Sequence, residues 1–311
     1  MKVFFPSYHI AVNQTFVSDV IATGHEIYQP AEDWRGEHIS FFASSEPNSR
    51  HITYQEWLEM PPMAVVIPCE QHIEDMKRAM QDRGNIDTFI YLTAGANSVD
   101  TFPFDTDYVI SHDLYYHRQS KAKYKILYFN EPAVSIDRHQ RNIQQGWESK
   151  QINLFINNLY KGGFEVELPI IEEFKKQWPS LKIYGYDNPD GWPQPPLTHE
   201  LIIESMFTLS PKRRETWGQN VNESMLMGVP VIVFENTLNS TFTEYLLTKD
   251  NAIIAKDAKD AINQINNLTF EQYETLCVQA RTMSELYCSK EPRVKQLKWL
   301  LDKVDLNLAK L

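Results

Sequence analysis

Apolar residues in the first 130 positions alternate between short runs and longer segments with helical spacing. Lys2–Pro6 and Met63–Pro68 are short runs of the kind that form buried strands, whereas the apolar residues of Asn13–Ala22 recur three and four positions apart, which predicts a helix. The same patterns predict four more strands, at Glu26–Tyr28, Thr88–Thr93, Tyr108–Ser111 and Lys125–Phe129, and a helix at Glu70–Gln81. Strands that alternate with helices indicate a parallel sheet covered by helices.

The alternation pauses over Asn130–Ser149, a polar stretch that we interpret as the connection between two domains, and then resumes. Beyond it the patterns predict strands at Ile152–Ile156, Leu181–Tyr184, Phe207–Ser210, Val229–Phe234 and Ala252–Ala255, and helices at Val166–Gln177, His199–Met206, Asn220–Met227, Ala258–Asn267 and Phe270–Leu286. In Pro292–Leu311 the apolar residues form one stripe, which predicts a helix with one packed face. The predicted domains are residues 1–132 and 150–288, followed by a helix at 289–311.

Composition agrees with two folded domains and argues against two classes of partner. The chain has 311 residues, of which 42% are hydrophobic, enough for two cores at roughly 100–200 residues per domain. A net charge of −11 weighs against a nucleic-acid coat or a basic membrane-surface protein. The apolar run at Met1–Pro6 is too short for a signal peptide, so we expect none, and no apolar run is long enough to span a membrane. Its three cysteines, Cys69, Cys277 and Cys288, are sparse and lack C-x-x-C spacing, so we expect a cytoplasmic protein.

The most informative segment is a predicted strand, loop, helix and turn around Gly218. Gly218 opens the helix, so the free N–H groups of Gln219 and Asn220 and the positive end of the helix dipole predict an anion site. Glu215 lies just before this site, and Glu223 lies about one turn inside the helix. Carboxylates bind hydroxyl groups and N–H groups bind phosphates, so the segment suits a phosphorylated, polyhydroxylated ligand.

The segment around Gly218 resembles the sequence signature of a known enzyme family. Glu215 and Glu223 form an E-x7-E pair, a weak signal alone. With Trp217-Gly218 between them and the string Glu-Ser-Met-Leu-Met-Gly-Val-Pro-Val-Ile that begins at Glu223, the segment closely resembles the donor-site signature of retaining GT-B glycosyltransferases. These are nucleotide-sugar-dependent enzymes of glycosyltransferase group 1, family 4-like. The resemblance is good over residues 150–285 and looser over 1–130.

The resemblance implies a fold and an activity. The fold would be α/β of the GT-B type, with two Rossmann-like domains that face each other across a cleft and a C-terminal helix that packs back on the N-domain. The enzyme would be a hexosyl- or pentosyltransferase that moves a sugar from a UDP- or GDP-sugar to a glycan, lipid-linked or other hydroxyl acceptor, with retention of anomeric configuration. No metal or other cofactor is required. The donor would bind the C-domain and the acceptor the N-domain.

The resemblance also implies roles for individual residues. Lys161 would contact the donor diphosphate and Glu215 the hydroxyls of the donor sugar, and these two are the expected catalytic residues. Glu223 would hold the ribose. The other expected donor-site residues surround the helix start and are Lys212, Arg213, Trp217, Gly218, Gln219 and Asn220. For Lys212 and Arg213, a solvated charge run is an equally good interpretation.

The sequence departs from the family in two places. The family's arginine before the Lys-Gly pair is replaced by Asn157-Asn158, and its Gly-Gly first loop is replaced by the segment that begins at Ser7. Either change could alter the donor or weaken the enzyme. On the acceptor side the candidates are His72, Asn97 and His112, each of which follows a predicted strand, although such histidines more often have a structural role.

One basic cluster and several alternatives remain open. The cluster comprises Arg118, Lys121, Lys123, Lys125, Arg138 and Arg141, and it is either a solvated helix face or a site for an anionic acceptor or the donor phosphates. Sugar transfer to modified DNA bases would need a basic cleft, so the acidic charge makes a nucleic-acid acceptor less favoured. A non-catalytic nucleotide-sugar-binding subunit would explain the missing arginine, and a GT-B epimerase is a further alternative. The sequence leaves the base, sugar, acceptor and oligomer undetermined.

Overall fold

The chain folds into two compact units. The computed structural model describes residues 1–6, 10–36, 39–41, 44, 46–67, 73–93, 106–112, 114–128, 137–212, 218–238 and 246–309. Unit 1 comprises Met1–Glu131 and Cys288–Leu311, and unit 2 comprises Pro132–Tyr287. Each unit contains its own parallel sheet and hydrophobic core.

The helices and strands are named in chain order. The strands are β1 Lys2–Phe4, β2 Glu26–Pro30, β3 Trp34–Gly36, β4 Ile39–Phe41, β5 Arg50–Ile52, β6 Ala64–Ile67, β7 Thr88–Thr93, β8 Tyr108–Ser111, β9 Tyr124–Leu127, β10 Ile152–Phe155, β11 Lys182–Tyr184, β12 Phe207–Leu209, β13 Val231–Phe234 and β14 Ala252–Ala255. The helices are α1 Ile10–Ala22, α2 Tyr54–Glu59, α3 Ile73–Asp82, α4 Leu114–Gln119, α5 Ile143–Ser149, α6 Glu167–Gln177, α7 Leu197–Glu204, α8 Gln219–Leu226, α9 Glu235–Leu238, α10 Ala258–Asn266, α11 Phe270–Cys288 and α12 Lys290–Leu308.

Unit 1 is built on a sheet with the strand order β5-β2-β1-β6-β7-β8-β9, in which every pairing is parallel. The short β3 and β4 pair antiparallel as a separate hairpin. One face of the sheet packs against α1 and α12, and the other packs against a core that contains Trp34 and Trp57. The strand order reverses at β1, as in a Rossmann-like sheet.

The last helix, α12, belongs to unit 1 because its apolar stripe and one buried charge are both satisfied there. Leu297, Leu301 and Val304 are fully buried against this sheet. Arg293 donates to both carboxylate oxygens of Asp19 on α1. Helix α12 therefore contacts both α1 and β9, and its contact with α1 includes an ion pair.

Unit 2 has the sheet order β11-β10-β12-β13-β14, and all of its pairings are parallel. Leu154 at the centre of β10 is in register with Ile183 of β11 and Leu209 of β12. The chain leaves β10 in one direction to form β11 and returns on the other side to form β12. The carboxyl end of β10 is thus a topological switch point, the place where α/β sheets bind ligands.

The predicted α/β class with two parallel sheets is confirmed, and the differences lie in short or polar elements. The sequence patterns missed everything between β2 and β6, including the β3–β4 hairpin, β5 and α2. They also missed α5 in the stretch interpreted as a connection. Asn142 caps this helix by accepting from the N–H of Gln145, and Trp147 packs 5.2 Å from the Tyr273 ring.

Candidate functional site

The start of helix α8 lies at the switch point of unit 2, after strand β12. Gly218 is the N-cap and has φ +55 and ψ +59, a left-handed conformation that glycine adopts without strain. The side chain of Asn220 donates to the Phe155 carbonyl at 3.1 Å, which ties the helix start to the end of β10. Helix N-termini attract anions because their first N–H groups lack intrahelical partners and the dipole is positive there.

Buried polar contacts fix helix α8 against the sheet. The hydroxyls of Ser224 and Thr208 are 2.8 Å apart, and Ser224 also donates to the Asn220 carbonyl at 2.7 Å. Asn222 is fully buried, and its N–H donates to the Gly218 carbonyl at 3.0 Å. The start of helix α8 at the switch point is therefore held in place by contacts within the protein.

Glu223 lies one turn inside α8 and is only 6% exposed. Its Oε1 is 3.8 Å from Nε2 of His199, a fully buried residue on α7. A buried carboxylate is costly without polar partners, so the burial of Glu223 makes this residue a candidate for a functional role. The sequence analysis predicted Glu223 as a site residue but missed His199, which it assigned only to a helix.

Lys161 follows β10 at the end of a short 3₁₀ helix, and its partners come from the loop after β11. The Lys161 ammonium pairs with the Asp187 carboxylate and lies 5.5 Å from the centre of the Tyr186 ring. The Lys161 and Asp187 side chains are 62% and 36% exposed. The cation expected to meet a diphosphate is thus held by an exposed carboxylate in this structure.

A close approach of two loops brings Lys161 and Asp187 together. Gly185 has φ +134, and a Cβ there would lie 2.0 Å from the Ile156 carbonyl oxygen, so only glycine fits. The N–H of Asn158 donates to the Tyr186 carbonyl at 2.8 Å. The N–H of Tyr186 donates to the side-chain oxygen of Asn157 at 2.9 Å. Asn157 and Asn158 therefore hold the loop that follows β11.

Two exposed aromatic residues lie on this same loop, and the sequence analysis missed them. Tyr186 and Trp192 are 48% and 58% exposed, and their rings meet edge to face at 5.4 Å. A signal was available, since aromatic residues in a Gly- and Pro-rich loop after a predicted strand are placed at a ligand-binding edge.

Several predicted site residues fall outside the part of the chain that the structure describes: His72, Asn97, Arg213, Glu215 and Trp217. Lys212 is partly exposed and follows β12, at the same edge of the sheet as α8. The structure thus places Lys161, Lys212, Gly218–Asn220 and Glu223 at the carboxyl ends of the adjacent strands β10 and β12 or in the helix that follows them.

His112, a candidate on the acceptor side, lies in the interior of unit 1. It is 2% exposed, and its ring meets the Tyr128 ring edge to face at 5.6 Å. Burial lowers the pKa of His112 to about 4. The imidazole is therefore neutral at pH 7.

The basic cluster noted in the sequence is divided between the two units. Lys125 in unit 1 donates to the carbonyls of His117 and Ser120 at 2.8 and 2.9 Å. Arg141 in unit 2 donates to the Ser205 carbonyl at 3.0 Å and to the Tyr273 hydroxyl at 2.6 Å. Two members of the cluster are thus occupied by local structural bonds.

Among the described residues, no three of the types His, Cys, Asp and Glu stand close enough to hold a metal ion. Within the same residues, no helix has both the length and the apolar character that a membrane crossing needs.

Comparison with known proteins relates the fold to solved structures. No family model and no curated protein matches the sequence. The lipopolysaccharide outer core galactosyltransferase WaaB in its apo form is 11% identical, with a TM-score of 0.63 over 97% of this chain and 99% of that one. Anabaena HepE in complex with UDP-glucose is 11% identical, with a TM-score of 0.60 and all of both chains covered.

A third structure matches over a smaller share of its length. A TarM variant from S. aureus, in complex with fondaparinux, α-GlcNAc-glycerol and UDP, is 12% identical with a TM-score of 0.57. The match covers 76% of this chain, which spans 55% of the TarM chain. Such low identities establish the fold alone. The chain has a GT-B fold with two parallel-stranded α/β sheets.

Proposed function

We propose that this protein is a retaining glycosyltransferase that moves a sugar from a nucleotide-diphosphate sugar to a hydroxyl acceptor. The observation that carries the proposal is the start of α8, where Gly218 caps a helix at the switch point of unit 2 and a buried Glu223 lies one turn inside. The fold shared with HepE, solved in complex with UDP-glucose, supports the same assignment.

The first task of the site is to stabilise a departing diphosphate. The backbone N–H groups at the start of α8 would bind phosphate oxygens, and Lys161 would add a positive charge. In the free protein Lys161 pairs with Asp187, but exposed ion pairs contribute at most about 1 kcal/mol. A diphosphate carries more charge than one carboxylate and would replace Asp187 at little cost.

The second task is to bind hydroxyl groups. Glu223 would accept hydrogen bonds from the ribose, and Glu215, which lies outside the described residues, would accept them from the transferred sugar. Charge-assisted bonds of this kind are stronger than neutral ones and fix the donor's orientation. The acceptor would be a glycan, a lipid-linked sugar or another hydroxyl compound.

Nucleotide binding tests the proposal first. Thermal unfolding is measured with UDP and GDP, since a ligand at 100 times its Kd raises the free energy of unfolding by about 2.7 kcal/mol. The nucleotide that stabilises the protein identifies the nucleotide part of the donor. Sugar transfer from the matching nucleotide sugars is then measured by the nucleoside diphosphate that is released, and NMR of the product identifies the anomer. Binding of neither nucleotide would contradict the proposal, and an inverted product would contradict retention.

A second candidate function is a non-catalytic nucleotide-sugar-binding subunit. The structure offers one observation in its favour, because Asn157 and Asn158 are engaged with the loop after β11 and supply no second cation. Donor hydrolysis distinguishes the two candidates. An enzyme releases nucleotide slowly from the donor even without acceptor, whereas a binding subunit holds the donor intact.

A further inference from the structure

His199 forms a buried pair with Glu223, and the proposed chemistry has given His199 no role. His199 is fully buried in the first turn of α7, and its Nε2 is 3.8 Å from Oε1 of Glu223 on α8. The exposed fractions of the two side chains are 1% and 8%. Helices α7 and α8 and the residues that follow α8 also contribute to a small apolar cluster of buried Phe155, Ile202, Met227 and Val229. This contact is the closest ion-pair approach to Glu223 within the described residues.

Helix α7 is tied to the central strand of unit 2. The side chain of Asn153 in β10 donates to the Leu201 carbonyl at 2.8 Å, which joins the middle of α7 to the central strand. Ile202 of the same helix is fully buried. Helix α8 is joined to β10 by Asn220. Both helices are therefore tied to strand β10, which places the backbones that carry His199 and Glu223 beside each other.

We propose that His199 is a positioning residue that orients the Glu223 carboxylate for the ribose of the donor, an inference that rests on the proposed function. In this proposal Nε2 of His199, at 3.8 Å from Oε1, limits rotation of the carboxylate by packing and electrostatics and leaves Oε2 for a ribose hydroxyl. A carboxylate free to rotate would spend part of the binding energy on being ordered when the ligand arrives. His199 thus acts through Glu223 and touches no substrate atom.

The expected signature is discrimination between ribose and 2′-deoxyribose. A hydrogen bond to a charged group contributes enough that we expect wild-type protein to bind UDP or GDP roughly 10- to 100-fold more tightly than its 2′-deoxy counterpart. His199→Met keeps a similar volume without a polar group, and we expect it to reduce this ratio to about threefold or less. His199→Gln can place an amide nitrogen near the position of Nε2, and we expect it to restore most of the ratio.

The experiment is isothermal calorimetry of the whole chain with UDP, GDP and their 2′-deoxy forms. Glu223→Gln is the reference variant and should also lose the ratio. If Glu223→Gln loses it while a folded His199→Met variant keeps it, the positioning role is overturned. Equal weakening toward both sugars in His199→Met would indicate a merely structural role and would also overturn it. His199→Phe replaces the Met variant if the latter does not fold. Wild-type protein that binds no nucleotide would instead contradict the proposed function.

Discussion

Each unit contains an ion pair between a basic side chain and an aspartate, and the two pairs differ in how deeply they are buried. The side chains of Arg293 and Asp19 in unit 1 are 4% and 1% exposed, while those of Lys161 and Asp187 in unit 2 are 62% and 36% exposed. A buried pair is costly to break because the remaining charge stays out of water, whereas an exposed pair contributes little. The first pair therefore maintains the fold, and the second can exchange one partner for a ligand.

The surrounding hydrogen bonds strengthen this contrast. Asp19 also accepts from the Tyr128 hydroxyl at 2.7 Å, and Arg293 also donates to the Cys288 carbonyl at 2.5 Å, so the buried charges have further partners. Asp187 projects from a loop whose backbone is fixed by its neighbours. The two units thus place their ion pairs in different surroundings. The buried pair stabilises the fold, whereas the exposed pair lies near the carboxyl ends of the strands, where a ligand can reach it.

The largest effect is expected for Arg293→Met, which leaves the Asp19 carboxylate buried without its cation. We expect the free energy of unfolding to fall by about 3–5 kcal/mol, measured by urea denaturation. Lys298→Met on the same helix is the matched control, since its pair with Asp302 is exposed and should contribute at most about 1 kcal/mol. Equal losses in the two variants would remove the distinction between buried and exposed pairs.

A loss of activity with little loss of stability is expected for Lys161→Ala. Removing a group that stabilises developing charge lowers transfer by roughly 10²- to 10³-fold, while a surface substitution changes stability by about 0.5 kcal/mol or less. Lys182→Ala on β11 is the control, because Lys182 is also exposed and paired, with Asp190 at 3.2 Å. A similar drop in the control variant would mean that Lys161 acts only through general charge.

Acid should destabilise unit 1 through His112, whose pKa of about 4 in the folded protein lies below its unfolded value of 6.5. The neutral imidazole is therefore favoured by folding, and its contribution is complete above about pH 6.5 and is lost as the pH falls through 4. The full loss is about 3 kcal/mol. His112→Phe removes the titrating group, so its unfolding free energy should fall less with acid over this range. Parallel pH curves for the two proteins would contradict the assignment.

The elements that the sequence predicted are mainly those marked by an apolar run or by a helical stripe of apolar residues. The apolar runs at β6 and β13 and the stripe of α12 are visible without a structure, because each buries a face through its own sequence. Strands β3, β4 and β5 lie in the largely polar segment between residues 31 and 53, so no apolar run marks them. Helix α5 was missed because only Ile143 and Trp147 pack against the core, too few apolar residues to form a visible stripe.

The candidate site divides in the same way. The helix cap at Gly218 and the position of Glu223 within α8 are local features, and the sequence predicted both. His199 and Asp187 reach the site from α7 and from the loop after β11, so their contacts with Glu223 and Lys161 depend on strand order. No local pattern contains that information. The same limit explains why the basic cluster, whose members lie close together in sequence, is divided between two units.

The smallest effect, and the one that tests the exposed pair most directly, is expected for Asp187→Asn. Loss of this carboxylate leaves Lys161 uncompensated, so pyrophosphate and UDP should bind a few-fold more tightly at low salt, with stability changed by about 0.5 kcal/mol or less. Because exposed charges are screened, the gain should shrink in about 1 M salt. Glu173→Gln, which removes another exposed carboxylate of unit 2, controls for net charge. Weaker binding by Asp187→Asn would mean that Asp187 orients Lys161 toward the ligand, and the exposed pair would then resemble the buried one in fixing a geometry.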